Sequence, residues 1–123
     1  MGKRIVLAED SESLAQIVRM KLGAAGHDVT WARDGEAAWT FILQTKPDLV
    51  ILDIMMPKVS SFEVLGNLKQ SPETNPIPVV MMTASAVEED VRKSIAGGAV
   101  DYIVKPFKPD DLLQRVSRLL PPH

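Results

Sequence analysis

Short apolar runs alternate with longer amphipathic stretches along the chain, and this alternation predicts the fold class. The most informative run lies between Pro47 and Pro57 and ends on Asp53. Its β-branched and leucyl residues predict a strand that is buried on both faces, as in the middle of a parallel sheet. A weakly alternating segment from His27 to Ala32 predicts an edge strand. The other three predicted strands span residues 5–8, 78–82 and 100–104.

An amphipathic helix is predicted after each strand, because apolar residues recur there at intervals of three and four. Gly26 and the pair Gly97-Gly98 are placed to end the first and fourth helices, and the fourth is expected from Val87 to Ala96. The alternation predicts a doubly wound α/β domain, since the crossovers are long enough for parallel pairing. The residues expected to face the core are, helix by helix, Leu14, Ile17, Val18 and Leu22; Ala38, Trp39 and Ile42; Phe62, Val64, Leu65 and Leu68; Val87, Val91 and Ile95; and Leu112, Leu113, Val116, Leu119 and Leu120.

Composition and charge limit the number of domains, the kinds of site and the partners that this chain is expected to have. Residues 1–123 contain 46% hydrophobic and 24% charged residues, which predicts one globular domain over the whole stretch. The absence of cysteine excludes disulfides and thiolate metal sites. A formal net charge of −2 gives no electrostatic footprint for nucleic acid or an anionic membrane, so we expect neither as a direct partner. The apolar start is too short for a signal peptide, and we expect a cytoplasmic protein.

Four of the five predicted strands end on residues with chemical capability. These residues are Glu9-Asp10, Asp53, Thr83 and Lys105. In a parallel sheet they converge on one edge, where the three carboxylates repel one another and a hard cation such as Mg²⁺ relieves the repulsion. A metal ion, a lysine and a hydroxyl at one place suit phosphoryl chemistry.

Each of these residues also has a purely structural interpretation. Taken alone, Glu9-Asp10 is more often a helix cap than a metal site, Thr83 is usually a strand or cap residue, and Lys105 is usually a solvated chain end. Asp53 alone favours neither interpretation. Their joint placement at one sheet edge is what favours a functional site.

Four stretches carry a family resemblance: residues 6–11 (VLAEDS), 52–57 (LDIMMP), 80–84 (VMMTA) and 98–107 (GAVDYIVKPF). Together they make the chain resemble a response-regulator receiver domain of two-component signalling over essentially its whole length. The resemblance implies a flavodoxin-like (βα)5 fold with the strand order 2-1-3-4-5. It also implies a signalling switch that catalyses only its own phosphotransfer and slow autodephosphorylation.

The resemblance assigns roles in the pocket residue by residue. Asp53 is the implied phosphoacceptor, and Mg²⁺ is the implied cofactor. The implied metal ligands are Glu9, Asp10, Asp53 and the backbone carbonyl of Met55. Glu9 is expected to act mainly through water.

Further implied roles concern how the phosphoryl group is read. Thr83 and Lys105 are expected to bind phosphoryl oxygens, Tyr102 to change rotamer with the state of Thr83, and Lys105-Pro106 to be a cis peptide. The implied partners are a sensor histidine kinase or phosphotransfer protein, an output domain or effector, and a phosphorylation-dependent homodimer. The expected output surface comprises the fourth helix, the fifth strand and the fifth helix. Its outward charges are expected to be Arg92, Lys93, Arg115 and Arg118.

One departure from the family pattern stands before the third helix. Ser60-Ser61 occupies the place of the usual Asp-Gly, and Phe62-Glu63 follows as expected. Glycine there serves a tight turn, so we expect a slightly altered loop with the pocket intact, or capping of the third helix by a serine.

Three alternatives remain open at this point. A flavin-binding module would need a phosphate cradle after the first strand, whereas Glu9-Asp10 stands there. A magnesium-dependent phosphohydrolase would place a second acid where this chain has Met55. A degenerate receiver that serves only for docking would not need the complete set of pocket residues.

Overall fold

The computed structural model describes residues 3–54, 61–83, 92–93, 95–105 and 107–120, with the backbone alone for Thr83. These residues form a five-stranded parallel sheet in the order β2-β1-β3-β4-β5. Both the doubly wound α/β class and the order 2-1-3-4-5 are therefore confirmed. The strands are β1 (Arg4–Ala8), β2 (Asp28–Ala32), β3 (Leu49–Asp53), β4 (Val79–Thr83) and β5 (Asp101–Val104).

Helices cover both faces of this sheet. They are α1 (Glu12–Ala24), α2 (Gly35–Thr45), α3 (Ser61–Gln70) and the last helix (Pro109–Leu119). The predicted fourth helix lies largely outside the described residues, and so do Val87 and Val91. Gly26, and Gly98 of the pair predicted to end the fourth helix, have φ values of 94° and 105° and so take left-handed conformations.

The core consists of two apolar clusters separated by the sheet. Alternate residues of each strand enter opposite clusters: Ile5 and Leu7 of β1 pack with α1 and the last helix, whereas Val6 and Ala8 pack with α2 and α3. All five residues of β3 are buried, as predicted for the central strand. Asp53 is thereby carried to the carboxyl edge of a strand that has no solvent-facing side.

Two residues that we predicted in the core are exposed. Ile17 is 47% exposed, because α1 buries Ala15, Val18 and Leu22 and turns Ile17 away from the sheet. Ile95 is 50% exposed, so its predicted place in the core is also wrong. Apolar spacing alone does not fix the rotation of a helix about its axis; the surface that it packs on does.

Candidate functional site

The carboxyl edge of the sheet brings together residues from three strand ends. Glu9 and Asp10 follow β1, Asp53 ends β3 and Lys105 follows β5. One carboxylate oxygen from each of Glu9, Asp10 and Asp53 lies within 4.8 Å of the others. The sequence predicted this convergence from the parallel order of the strands.

Lys105 bridges the two buried carboxylates. Its Nζ donates to Oε1 and Oε2 of Glu9 at 3.1 and 2.9 Å and to Oδ2 of Asp53 at 3.0 Å. Glu9 is fully buried and Asp53 is 1% exposed, so both carboxylates would be costly without this cation. Asp10, in contrast, is exposed. The pocket thus has a buried acid pair held by one ammonium group, with a third acid at its mouth.

Burial and charge shift the pKa values of this group. Burial, and then the hydrogen bond with Asp53, raise the pKa of Glu9 from 4.5 to about 7, although Lys105 opposes the rise. Burial alone would lower the pKa of Lys105, but its hydrogen bonds to Glu9 and Asp53 outweigh that effect and raise it. Lys105 therefore keeps its charge, and the charged form of Glu9 is disfavoured.

The backbone of Glu9 is held by strand β2. Its N–H donates to the carbonyl of Ala32 at 3.0 Å, and its carbonyl accepts from the indole Nε1 of Trp31 at 2.7 Å. The carboxylate Oε1 also accepts from the N–H of Ser11 at 3.2 Å. Sequence reasoning missed Trp31, because nothing in the local pattern of β2 shows that its indole reaches the neighbouring strand end.

Ser61 contacts the backbone of Asp53. It is a buried residue at the start of α3, and its hydroxyl donates to the Asp53 carbonyl. Capping of α3 by Ser61 is not what the structure shows, because Ser61 lies within the helix and its hydroxyl acts as a donor to β3. Ser60, which precedes the helix, lies outside the described residues.

Other predicted site residues are described only in part. The Met55 carbonyl, Pro106 and the side chain of Thr83 lie outside the described residues. Tyr102 is half-buried and packs against the cluster on the α2 and α3 side.

Arg115 does not offer an outward charge as predicted. Its Nη1 donates to both carboxylate oxygens of Asp101 at 2.8 Å, and to the Tyr102 carbonyl at 3.1 Å. The Arg115 guanidinium therefore joins the last helix to β5.

Comparison with known proteins identifies the family. The sequence model of the response regulator receiver domain family matches residues 5–117 of this chain. The chain belongs to the response-regulator receiver domain family. It is 39% identical over 120 residues to the phosphate regulon transcriptional regulatory protein PhoB of Rhizobium meliloti, covering 98% of this chain and 53% of that protein. The receiver domain thus spans about half the length of this curated relative.

Two solved structures show the same fold at high similarity. The chemotaxis response regulator CheY4 of Vibrio cholerae has a TM-score of 0.92 and 30% identity, covering 98% of this chain and all of that one. The Mn²⁺-bound form of response regulator Rcp1 has a TM-score of 0.81 and 34% identity, covering 95% of this chain and 91% of that one. In the described parts of this receiver domain, none of the helices has the length and apolar character needed to cross a membrane.

The acidic pocket of this receiver domain fits a hard divalent cation. Its donors are carboxylate oxygens, which Mg²⁺ prefers, and they come from three side chains whose oxygens are already close together. Burial raises the pKa of Glu9 and so disfavours its charged form, and a bound cation would relieve that effect. The residues that would hold Mg²⁺ are Glu9, Asp10 and Asp53.

Proposed function

We propose that this receiver domain is a phosphorylation-dependent switch that accepts a phosphoryl group on Asp53. The observation that carries the proposal is the Lys105 ammonium group, which lies 3.0 Å from Oδ2 of Asp53 beside the Glu9 and Asp10 carboxylates. A nucleophilic carboxylate, a fixed cation and a metal-binding pair of acids are what in-line phosphoryl transfer requires, because positioning and charge neutralisation supply most of its catalysis.

In the proposed step, an oxygen of Asp53 forms a bond to phosphorus as the bond from phosphorus to the donor breaks. The donor is a phosphohistidine of a sensor kinase or phosphotransfer protein; its other ring nitrogen carries a proton, so the imidazole leaves as a neutral ring with the electron pair of the broken bond. Lys105 pairs with a phosphoryl oxygen, and Thr83 donates a hydrogen bond to another. Mg²⁺, when bound, supplies further neutralisation of the phosphoryl charge. The Mn²⁺-bound form of Rcp1, a 34% identical neighbour, supports a divalent cation in this fold.

Phosphorylation from a small donor tests this proposal without a kinase. We expect acetyl phosphate with Mg²⁺ to add one phosphoryl group, seen by intact-mass spectrometry, and Asp53→Asn to abolish the adduct. Asp28→Asn is the matched control, because Asp28 is exposed and begins β2 at the opposite edge of the sheet. No adduct on the unsubstituted protein would favour the degenerate docking receiver. The same adduct on Asp53→Asn would reject Asp53 as the acceptor.

We further propose that phosphorylation alters the surface formed by the fourth helix, β5 and the last helix, and that this surface controls an output domain, an effector or a second copy of the chain. Exposed Val100 and Arg118 belong to it. Movement of Thr83 toward the phosphoryl group, followed by rotation of Tyr102, would couple the pocket to this surface. A cis Lys105-Pro106 peptide, a Met55 carbonyl ligand, one domain over residues 1–123 and a cytoplasmic location stay predictions.

Amide spectra test this coupling. Beryllofluoride with Mg²⁺ should shift signals along residues 84–105 well beyond the pocket, and Thr83→Ala should suppress the distant shifts while the mimic still binds. Shifts confined to pocket residues, or an unchanged response in Thr83→Ala, would refute the coupling and leave the phosphoacceptor assignment standing.

A further inference from the structure

One hydrogen bond acts on the peptide group that joins the two acids after β1. The Glu9 carbonyl belongs to the peptide unit between Glu9 and Asp10, and the Trp31 indole Nε1 donates to it at 2.7 Å. Strand β2 ends at Ala32, whose carbonyl accepts from the Glu9 N–H at 3.0 Å. In addition to this backbone contact, the Trp31 side chain supplies a donor to the residue that follows β1.

Fixing this carbonyl fixes the relative direction of two side chains. A peptide unit is planar, so holding its oxygen restrains ψ of Glu9 and φ of Asp10 together. The Glu9 carboxylate is also held by Ser11 and Lys105. Asp10 is exposed, so the placement of its carboxylate depends strongly on the backbone that carries it.

The indole is itself held in place. Trp31 is half-buried and packs against the core cluster on the α1 side. The Arg33 guanidinium carbon lies 4.9 Å from the centroid of its ring, within cation–π range. The donor is therefore pre-organised, since its ring is restrained by the core and by Arg33.

We propose that Trp31 is a positioning residue for the metal site: its indole N–H sets the Glu9–Asp10 peptide so that both carboxylates face one cation. This inference rests on the proposed Mg²⁺ site. It predicts an effect on cation selectivity, because Mg²⁺ demands nearly ideal octahedral geometry whereas Ca²⁺ accepts flexible coordination. A loosened peptide should therefore weaken Mg²⁺ binding more than Ca²⁺ binding.

Trp31→Phe removes the donor and keeps an aromatic ring. We expect its dissociation constant for Mg²⁺, measured by calorimetry, to rise about tenfold, as is typical when a group that orients a metal ligand is lost. The constant for Ca²⁺ should rise less than about threefold, because its coordination tolerates more disorder. Trp39→Phe is the matched control, since Trp39 is a half-buried tryptophan of α2 that packs on the other side of the sheet. An equal loss for both cations, or no loss, would overturn the inference.

The unsubstituted protein provides a second test that does not depend on the folding of a variant. During a Mg²⁺ titration, the indole N–H signal of Trp31 should shift with the same midpoint as the amide of Asp10, whereas the indole signal of Trp39 should not shift. An unmoved Trp31 signal at saturation would count against its role. If the protein binds no Mg²⁺, or if Asp10→Asn leaves Mg²⁺ binding unchanged, both the metal site and this inference are rejected. If Asp10→Asn weakens Mg²⁺ binding but Trp31→Phe does not, the inference alone is rejected.

Discussion

Lys105 lies between two carboxylates that have almost no contact with solvent. The Lys105 side chain is 22% exposed, whereas those of Glu9 and Asp53 are 0% and 2% exposed. Removing one partner from a buried ionic group costs more than forming the group gains, because the remaining charges lose their compensation. The stability of the domain without metal should therefore depend on Lys105.

We expect Lys105→Met to lower the free energy of unfolding by about 2 kcal/mol at pH 8, and by less at pH 5.5. At the lower pH Glu9, with its pKa near 7, is protonated and no longer needs the ammonium group. Urea denaturation in EDTA at both pH values measures the difference. Lys108→Met is the control, because Lys108 is exposed and forms no side-chain cap hydrogen bond with the last helix. Equal losses at the two pH values would contradict this account.

Ser61 contacts the proposed phosphoacceptor from another side, through the backbone carbonyl of Asp53. Ser61→Ala removes the donor to the buried Asp53 carbonyl and should destabilise the domain by about 1–2 kcal/mol. It should also slow phosphorylation by acetyl phosphate, since Asp53 is then less firmly oriented. Ser117→Ala, on the exposed face of the last helix, should change neither quantity. A Ser61→Ala protein as stable and reactive as the unsubstituted one would show that this contact is dispensable.

At the scale of elements, the sequence correctly predicts those site residues whose proximity follows from the strand topology alone. Glu9, Asp53 and Lys105 meet because each lies at or just after the carboxyl end of a parallel strand, and the apolar runs show where those strands end. Trp31 could not be found in this way. Its reach to Glu9 depends on the register that places Trp31 beside Leu7, and no local pattern encodes the register of two strands that are distant in sequence.

The helices show the same limit. Val18 and Leu22 were predicted in the core and are buried, but the exposure of Ile17 depends on how α1 is rotated against the sheet and the last helix. Lys21 of α1 forms a salt bridge with Asp110 of the last helix, a pair that no sequence spacing indicates. The sequence likewise predicts Arg115 as a surface charge, whereas its guanidinium pairs with the Asp101 carboxylate.

The contact between Arg115 and Asp101 should stabilise the packing of the last helix against β5. Arg115→Ala removes two hydrogen bonds to a carboxylate and one to the Tyr102 carbonyl. We expect a loss of about 1–2 kcal/mol in the free energy of unfolding, because bonds between charged groups are stronger than neutral ones and these are only partly exposed. The substitution should also increase the rate of amide hydrogen exchange in β5 more than it does in β1.

Arg118→Ala is the matched control for that experiment. Arg118 is exposed one turn further along the same helix, and its removal should cost less than about 0.5 kcal/mol. Similar losses for the two arginines, or unchanged exchange in β5, would show that the Arg115 contact does not hold the strand.

At the scale of the whole molecule, the pocket links folding to pH. Glu9 has a pKa of about 7 in the folded protein and an ordinary value of 4.5, so between these values the folded state binds more protons than the unfolded state. Stability contributed by this group therefore falls as pH rises from 4.5 to 7 and is constant above that range. The folded domain is most stable when Glu9 is neutral, whereas the pocket binds a cation best when Glu9 is charged.

We expect the difference in unfolding free energy between the unsubstituted protein and Glu9→Gln to change by at most about 3 kcal/mol across this window, with the unsubstituted protein losing stability relative to the variant as pH rises. Urea denaturation in EDTA at pH 5, 6, 7 and 8 measures it, and taking the difference cancels the titration of groups common to both proteins. Glu12→Gln, an exposed position in the first turn of α1, should give no such dependence. Saturating Mg²⁺ should remove this slope in the unsubstituted protein, because metal ligands must be deprotonated and the gain in binding with rising pH then offsets the loss that Glu9 causes. Curves for the unsubstituted protein and Glu9→Gln that stay parallel from pH 5 to 8 would show that Glu9 keeps an ordinary pKa and that its burial does not link the stability of the domain to pH.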